Sequence, residues 1–146
     1  MREHGDYVSD RSEQLILFSA RGPWNDETMR RGVIEMAGHI AQLDHSNRWG
    51  QISCLYAESL MPPSTYAVFE KQTLVRKEMG LSAIAVVIKN SEVKLTIVDQ
   101  LSRVYEKANI EHRFLDSIDE ACLWQQEMNI PFNQTFAQRF FKANAF

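Results

Sequence analysis

Ser64 and Thr65 follow Pro62-Pro63 and open a segment with helical spacing. Hydroxyls placed there have two uses. They can cap a helix start, or they can accept a phosphate, which free backbone N–H groups and the helix dipole would favour. Just before them, Leu60, Met61 and Pro62 make an apolar loop. Met is adaptable and suits promiscuous apolar surfaces, so this loop is a candidate contact for a lipophilic ligand or a membrane. Other chemistry is sparse. His4, His39, His45 and His112 share no metal-ligand spacing and read as structural or solvated. Asp116, Asp119, Glu120 and Glu127 would suit acid–base work if the fold gathered them, but their pattern is that of a cap and a solvated helix face. Cys54 and Cys122 form no CxxC pair and are expected as reduced, buried thiols. Neither a Gly-rich phosphate loop nor a nucleophile elbow occurs. The expectation is a protein without a catalytic residue, cofactor or metal.

The elements that must position these residues follow from hydrophobic patterning. Leu15 to Ala20 reads as a buried strand, with Tyr7 and Val8 as its hairpin partner and Asp10 to Gln14 as the loop. Asn25 caps a helix whose apolar face includes Met29, Val33, Met36 and Ile40. Trp49 to Tyr56 is a second core strand. Ser64 or Thr65 caps the next helix, which stops at Gly80 and presents Val68, Phe69, Gln72, Val75 and Met79. Ala83 to Ile88 is continuously apolar and β-branched, as a parallel strand covered on both faces would be. Val93 to Ile97 alternates like a strand, but the longer pattern predicts a helix from Leu95 to Ala108. His112 to Leu115 is a short strand, and Ser117 with Glu120 forms a capping box for a last helix. Trp24 and Trp124 are expected as packing residues. The order β-β-α-β-α-β-α-β-α predicts an α/β layer fold with a mostly parallel sheet of four to five strands and about four helices.

The last fifteen residues hold five of the eight phenylalanines, Phe132, Phe136, Phe140, Phe141 and Phe146, and no acid follows Glu127. Phe132, Phe136 and Phe140 would share one face of an amphipathic helix. Such a tail, residues 129–146, must bury its rings against its own domain, a second copy, a partner or lipid. A homodimer through the tail is one expectation. At 146 residues and a net charge of −3, the chain is sized for one domain and lacks the basic balance of a nucleic-acid binder. Met1 to Asp10 is polar and charged, so no signal peptide is expected. A cytoplasmic protein, including one in peripheral contact with the inner face of the membrane, is the expected setting.

Gly22-Pro23-Trp24 before the first long helix, with the closing Phe114-x5-Glu120-Ala121-x2-Trp124 segment, resembles the STAS-like bacterial proteins. These are relatives of the sporulation anti-sigma-factor antagonist, and the likeness spans Tyr7 to Met128. It implies a small, non-enzymatic regulatory or binding domain over residues 1–128. In the antagonists a serine at the corresponding helix start is phosphorylated and toggles binding of a regulatory protein. Ser64 and Thr65 occupy that place here, without the acid and glycine that accompany it there. The fold is also similar to CRAL-TRIO domains, which hold apolar ligands between sheet and helices. That likeness implies a lipophilic small molecule or membrane surface as partner. The contacts expected from the apolar loop, the helix after it and the aromatic tail, which lies outside the likeness, are Leu60, Met61, Phe69, Phe132, Phe136 and Phe140.

Overall fold

A computed structural model describes residues 6–146 of the chain. His4 and the start of the polar stretch Met1 to Asp10 lie outside the described residues. One sheet carries five strands in the spatial order β1-β2-β3-β4-β5. They are β1 (Asp6–Ser12), β2 (Leu15–Arg21), β3 (Trp49–Tyr56), β4 (Leu81–Lys89) and β5 (Glu111–Leu115). β1 is antiparallel to β2, and every later neighbour is parallel. The hairpin is tighter than the sequence suggests. Only Glu13 and Gln14 separate the strands, and Glu13 takes the positive φ that a two-residue loop demands.

The described residues also form five helices: α1 (Asp26–Ile40), α2 (Pro63–Glu78), α3 (Lys94–Lys107), α4 (Ile118–Glu127) and α5 (Gln134–Ala143). The ambiguous Val93 to Ile97 segment is therefore the start of a helix. Its inward residues Ile97, Leu101, Val104 and Tyr105 follow the 3.6-residue period, which outlasts the short alternation.

The strand order decides the layers. The crossovers β2-α1-β3, β3-α2-β4 and β4-α3-β5 all step the same way across the sheet. Right-handed connections then put α1, α2 and α3 on one face. Ile16, Ile84, Val86, Met36, Ile40, Ile97, Leu101 and Val104 form the core there. The other face would stay bare without α4 and α5. Those helices turn back beneath it and bury Leu15, Leu17, Ile52, Ala85 and Val87 against Ala121, Trp124, Ala137, Phe140 and Phe141.

Local chemistry sets the helix ends. Thr28 N–H donates to Asn25 Oδ1 at 2.8 Å, and Glu120 N–H donates to Ser117 Oγ at 3.1 Å. The capping box is not closed on its own cap, because the Glu120 carboxylate accepts from Asp116 N–H instead. Gly80 follows the Met79 cap with φ +110°, which a side chain would strain. Beneath β3, Gln125 Nε2 donates to the carbonyls of Gln51 and Ala83 at 3.0 and 3.1 Å, tying α4 to two strands. A Cβ on Gly50 would lie 2.3 Å from Gln125 Oε1, so a side chain there would push the Gln125 amide from its present position.

The aromatic tail folds onto its own sheet. Its buried stripe is Ala137, Phe140 and Phe141, one position away from the Phe132–Phe136–Phe140 register read from spacing. Phe140 is 7% exposed and Phe136 is 41% exposed. Phe132 precedes the helix, where Asn133 accepts from Phe136 N–H as the cap. Hydrogen bonds fasten the tail to the first hairpin: Ser19 Oγ donates to Asn144 O, Asn133 N–H to Ser12 Oγ, and Gln14 N–H to Pro131 O. No helix among the described residues is long and apolar enough to cross a membrane.

Candidate functional site

β3 lies between β2 and β4, and parallel strands covered on both faces are normally apolar throughout. Its lower row, Ile52 and Cys54, obeys that rule. Its upper row does not. Between Trp49 and Leu55 stand Gln51 and Ser53, both buried and both directed at the layer of α1–α3. Gln51 Nε2 donates to Ser53 Oγ at 2.9 Å, while Gln51 Oε1 has no hydrogen-bond partner. A buried acceptor without a donor is destabilising by about 1–3 kcal/mol. Packing reveals the reason for this pair: a cavity of about 70 Å³ lies over them.

The cavity walls come from four directions. Phe18 and Leu55 belong to the sheet, Met29, Val33 and Met36 to α1, and Phe69 and Arg76 to α2. Leu101 and Tyr105 of α3 complete the far side, with Trp24, Ser59 and Met61 from the connecting loops. Trp24 stacks on Phe18 at 5.9 Å and on Tyr7 at 6.3 Å between ring centroids. This aromatic wall is rigid, whereas Met29, Met36 and Met61 are unbranched side chains that can change shape around a guest.

Arg76 is the unusual member. The residue is only partly exposed, and among the described residues it makes neither an ion pair nor a side-chain hydrogen bond. Burial holds the Arg76 guanidinium below its ordinary pKa, partly offset by the nearby Tyr105. Burial likewise pushes Tyr105 up, and Arg76 pulls it back. A cation, a phenol, an amide and two hydroxyls therefore meet inside an otherwise apolar wall.

The residues expected from sequence divide between the two faces. Met61 and Phe69 line the cavity. Leu60 packs against the same core. Their loop is fastened rather than hinged: Gln100 accepts from Met61 N–H at 3.1 Å and donates to Met61 O at 3.0 Å, and Trp24 N–H donates to Leu60 O. Ser59 Oγ adds a bond to Tyr56 O and accepts from Gly22 N–H. Phe132 and Phe140 pack on the opposite side of the sheet, so neither reaches the cavity. Phe136 is on α5, which contacts β1, β2 and α4.

Ser64 and Thr65 do not cap α2. The N-cap is Pro62, which has no side-chain donor or acceptor to offer. Both hydroxyls instead donate to Asp26 Oδ1 at the start of α1, at 2.9 and 2.6 Å. Those bonds, Thr65 first, lower the Asp26 pKa. Ser64 is exposed, and Thr65 is fully buried. A phosphate on Ser64 would stand against the Asp26 carboxylate, and one on Thr65 would have to be forced out of the packing between α1 and α2.

Gln51, Ser53 and Arg76 escape the sequence reading of the site. A signal existed for the first two: polar residues two apart on a core strand share one face. For Arg76 the inward face of α2 differs from the one that spacing predicts. The inward stripe of α2 is Thr65, Phe69, Thr73 and Arg76, while Val75 and Met79 are exposed. A stripe this polar cannot be recognised from apolar periodicity.

Comparison with known proteins finds no matching family model, no matching curated protein and no matching solved structure.

Proposed function

We propose that this chain is a non-enzymatic binding domain that holds a lipophilic small molecule in the cavity above β3. The observation that carries this reading is the cavity itself, where Gln51 and Ser53 interrupt the apolar row of a central strand beneath an apolar and aromatic wall. Ligand sites have that composition: mostly apolar, with a few converging polar groups. The similarity to CRAL-TRIO domains supports the same reading, because there an apolar guest lies between sheet and helices. The empty space is about 70 Å³. That is roughly half the volume of an apolar cavity that accepts benzene. A larger guest enters by displacing the ends of Met29, Met36 and Met61.

Native mass spectrometry of the intact protein, purified without detergent, tests the proposal. The expected result is a bound organic mass that disappears on denaturation. Purified protein that carries no such mass, and whose melting temperature is unmoved by apolar probes, would overturn it.

A further inference from the structure

We infer that the ligand of this cavity is an anionic amphiphile, a small carboxylate whose head group pairs with Arg76 while its apolar part lies against the methionine and aromatic wall. The inference rests on the cavity reading above and adds the chemistry of the head group. An unpaired guanidinium beside an apolar cavity is unfavourable for the empty protein, since a charge withdrawn from water needs a counter-charge or good hydrogen bonds. No carboxylate of this chain supplies one among the described residues. A guanidinium is also the group best matched to a carboxylate, which it can grip with two parallel hydrogen bonds.

The remaining polar groups suit the same head. Tyr105 lies near Arg76 and stays a neutral hydrogen-bond donor, because burial opposes its ionisation. Gln51 offers an amide whose oxygen has no partner. Turning that amide about its last bond lets the oxygen accept from Ser53 Oγ and presents the NH₂ to the cavity. The protein then supplies donors from β3, α2 and α3, three elements that converge only in the folded state. A neutral lipid such as a long-chain alcohol would leave Arg76 unpaired and is the poorer guest.

Isothermal titration of the full-length protein with hexanoate and with 1-hexanol tests the inference. The two probes share an apolar chain and differ in charge. The expected result is that hexanoate binds at least tenfold more tightly. In Arg76→Leu that preference should vanish while 1-hexanol still binds, and in Arg76→Lys part of it should return. The unliganded Arg76→Leu protein should also melt above the wild type, because the unpaired charge is gone. Equal binding of the two probes by the wild type, or an undiminished preference in Arg76→Leu, would overturn the head-group assignment and leave the apolar cavity standing. If neither probe binds the wild type, the cavity reading itself falls. The wild-type comparison decides the matter even where a variant does not fold.

Discussion

Two buried thiols show how a single side chain on the sheet's lower face responds to its surroundings. Cys54 and Cys122 are free and fully covered. Burial pushes Cys122 up to about 11 from an ordinary value of 9.0, with the Asp119 carboxylate adding to the shift. Burial raises Cys54 as well, against a weaker opposing hydrogen bond from Tyr56. Between about pH 9 and pH 11 the unfolded chain releases a proton that native Cys122 retains. The unfolded state then binds fewer protons, so stability falls as the pH rises through that window. Melting temperatures measured from pH 8 to pH 11 should decline, and the decline should be shallower in Cys122→Ala. An identical pH profile in that variant would show that the thiol does not contribute. The same protonation makes both cysteines poor nucleophiles in the native state, since thiolate is the reactive form.

At the scale of elements, α5 separates what periodicity can reveal from what it cannot. Phe136 and Phe140 are four residues apart and look equivalent in sequence, yet only Phe140 is buried. Phe140→Ala should destabilise the protein by about 3–5 kcal/mol, whereas Phe136→Ala should cost less than about 1 kcal/mol. Chemical denaturation of the two variants checks the difference, and equal losses would mean that the helix is rotated from the position described. The order of strands and helices was legible because each carries its own local signal: β-branched runs at Ala83 to Ile88, the Asn25 and Ser117 caps, and Gly80 after α2. Which side of a helix faces inward was less so. That depends on the partner layer, and α2 turns Thr65, Thr73 and Arg76 inward against every apolar rule. The cavity was illegible for the same reason. Its polar groups come from β3, α2 and α3, which are separated in sequence and acquire a common purpose only when packed.

For the whole molecule, the central fact is that one face of the sheet is covered by crossovers and the other by α4 and α5. The second covering is not optional. Removing everything after Met128 strips Ile130, Ala137, Phe140 and Phe141 from the lower core. Losing two buried phenylalanines alone corresponds to about 6–10 kcal/mol, against a total of about 5–15 kcal/mol for a domain. The truncated chain should therefore lose its cooperative melting transition. A sharp transition near that of the full chain would show instead that the tail is an appendage. The fastening of Ser19 to Asn144 spans 125 residues, and this has a consequence during synthesis. At roughly 5–20 residues per second, β2 waits on the order of ten seconds on the ribosome before its cover is even translated. Leu15 and Leu17 belong to the first hairpin made, and they are among the last side chains to be shielded from water. For that interval the nascent protein presents a greasy half-finished sheet, the kind of surface that holdase chaperones grip.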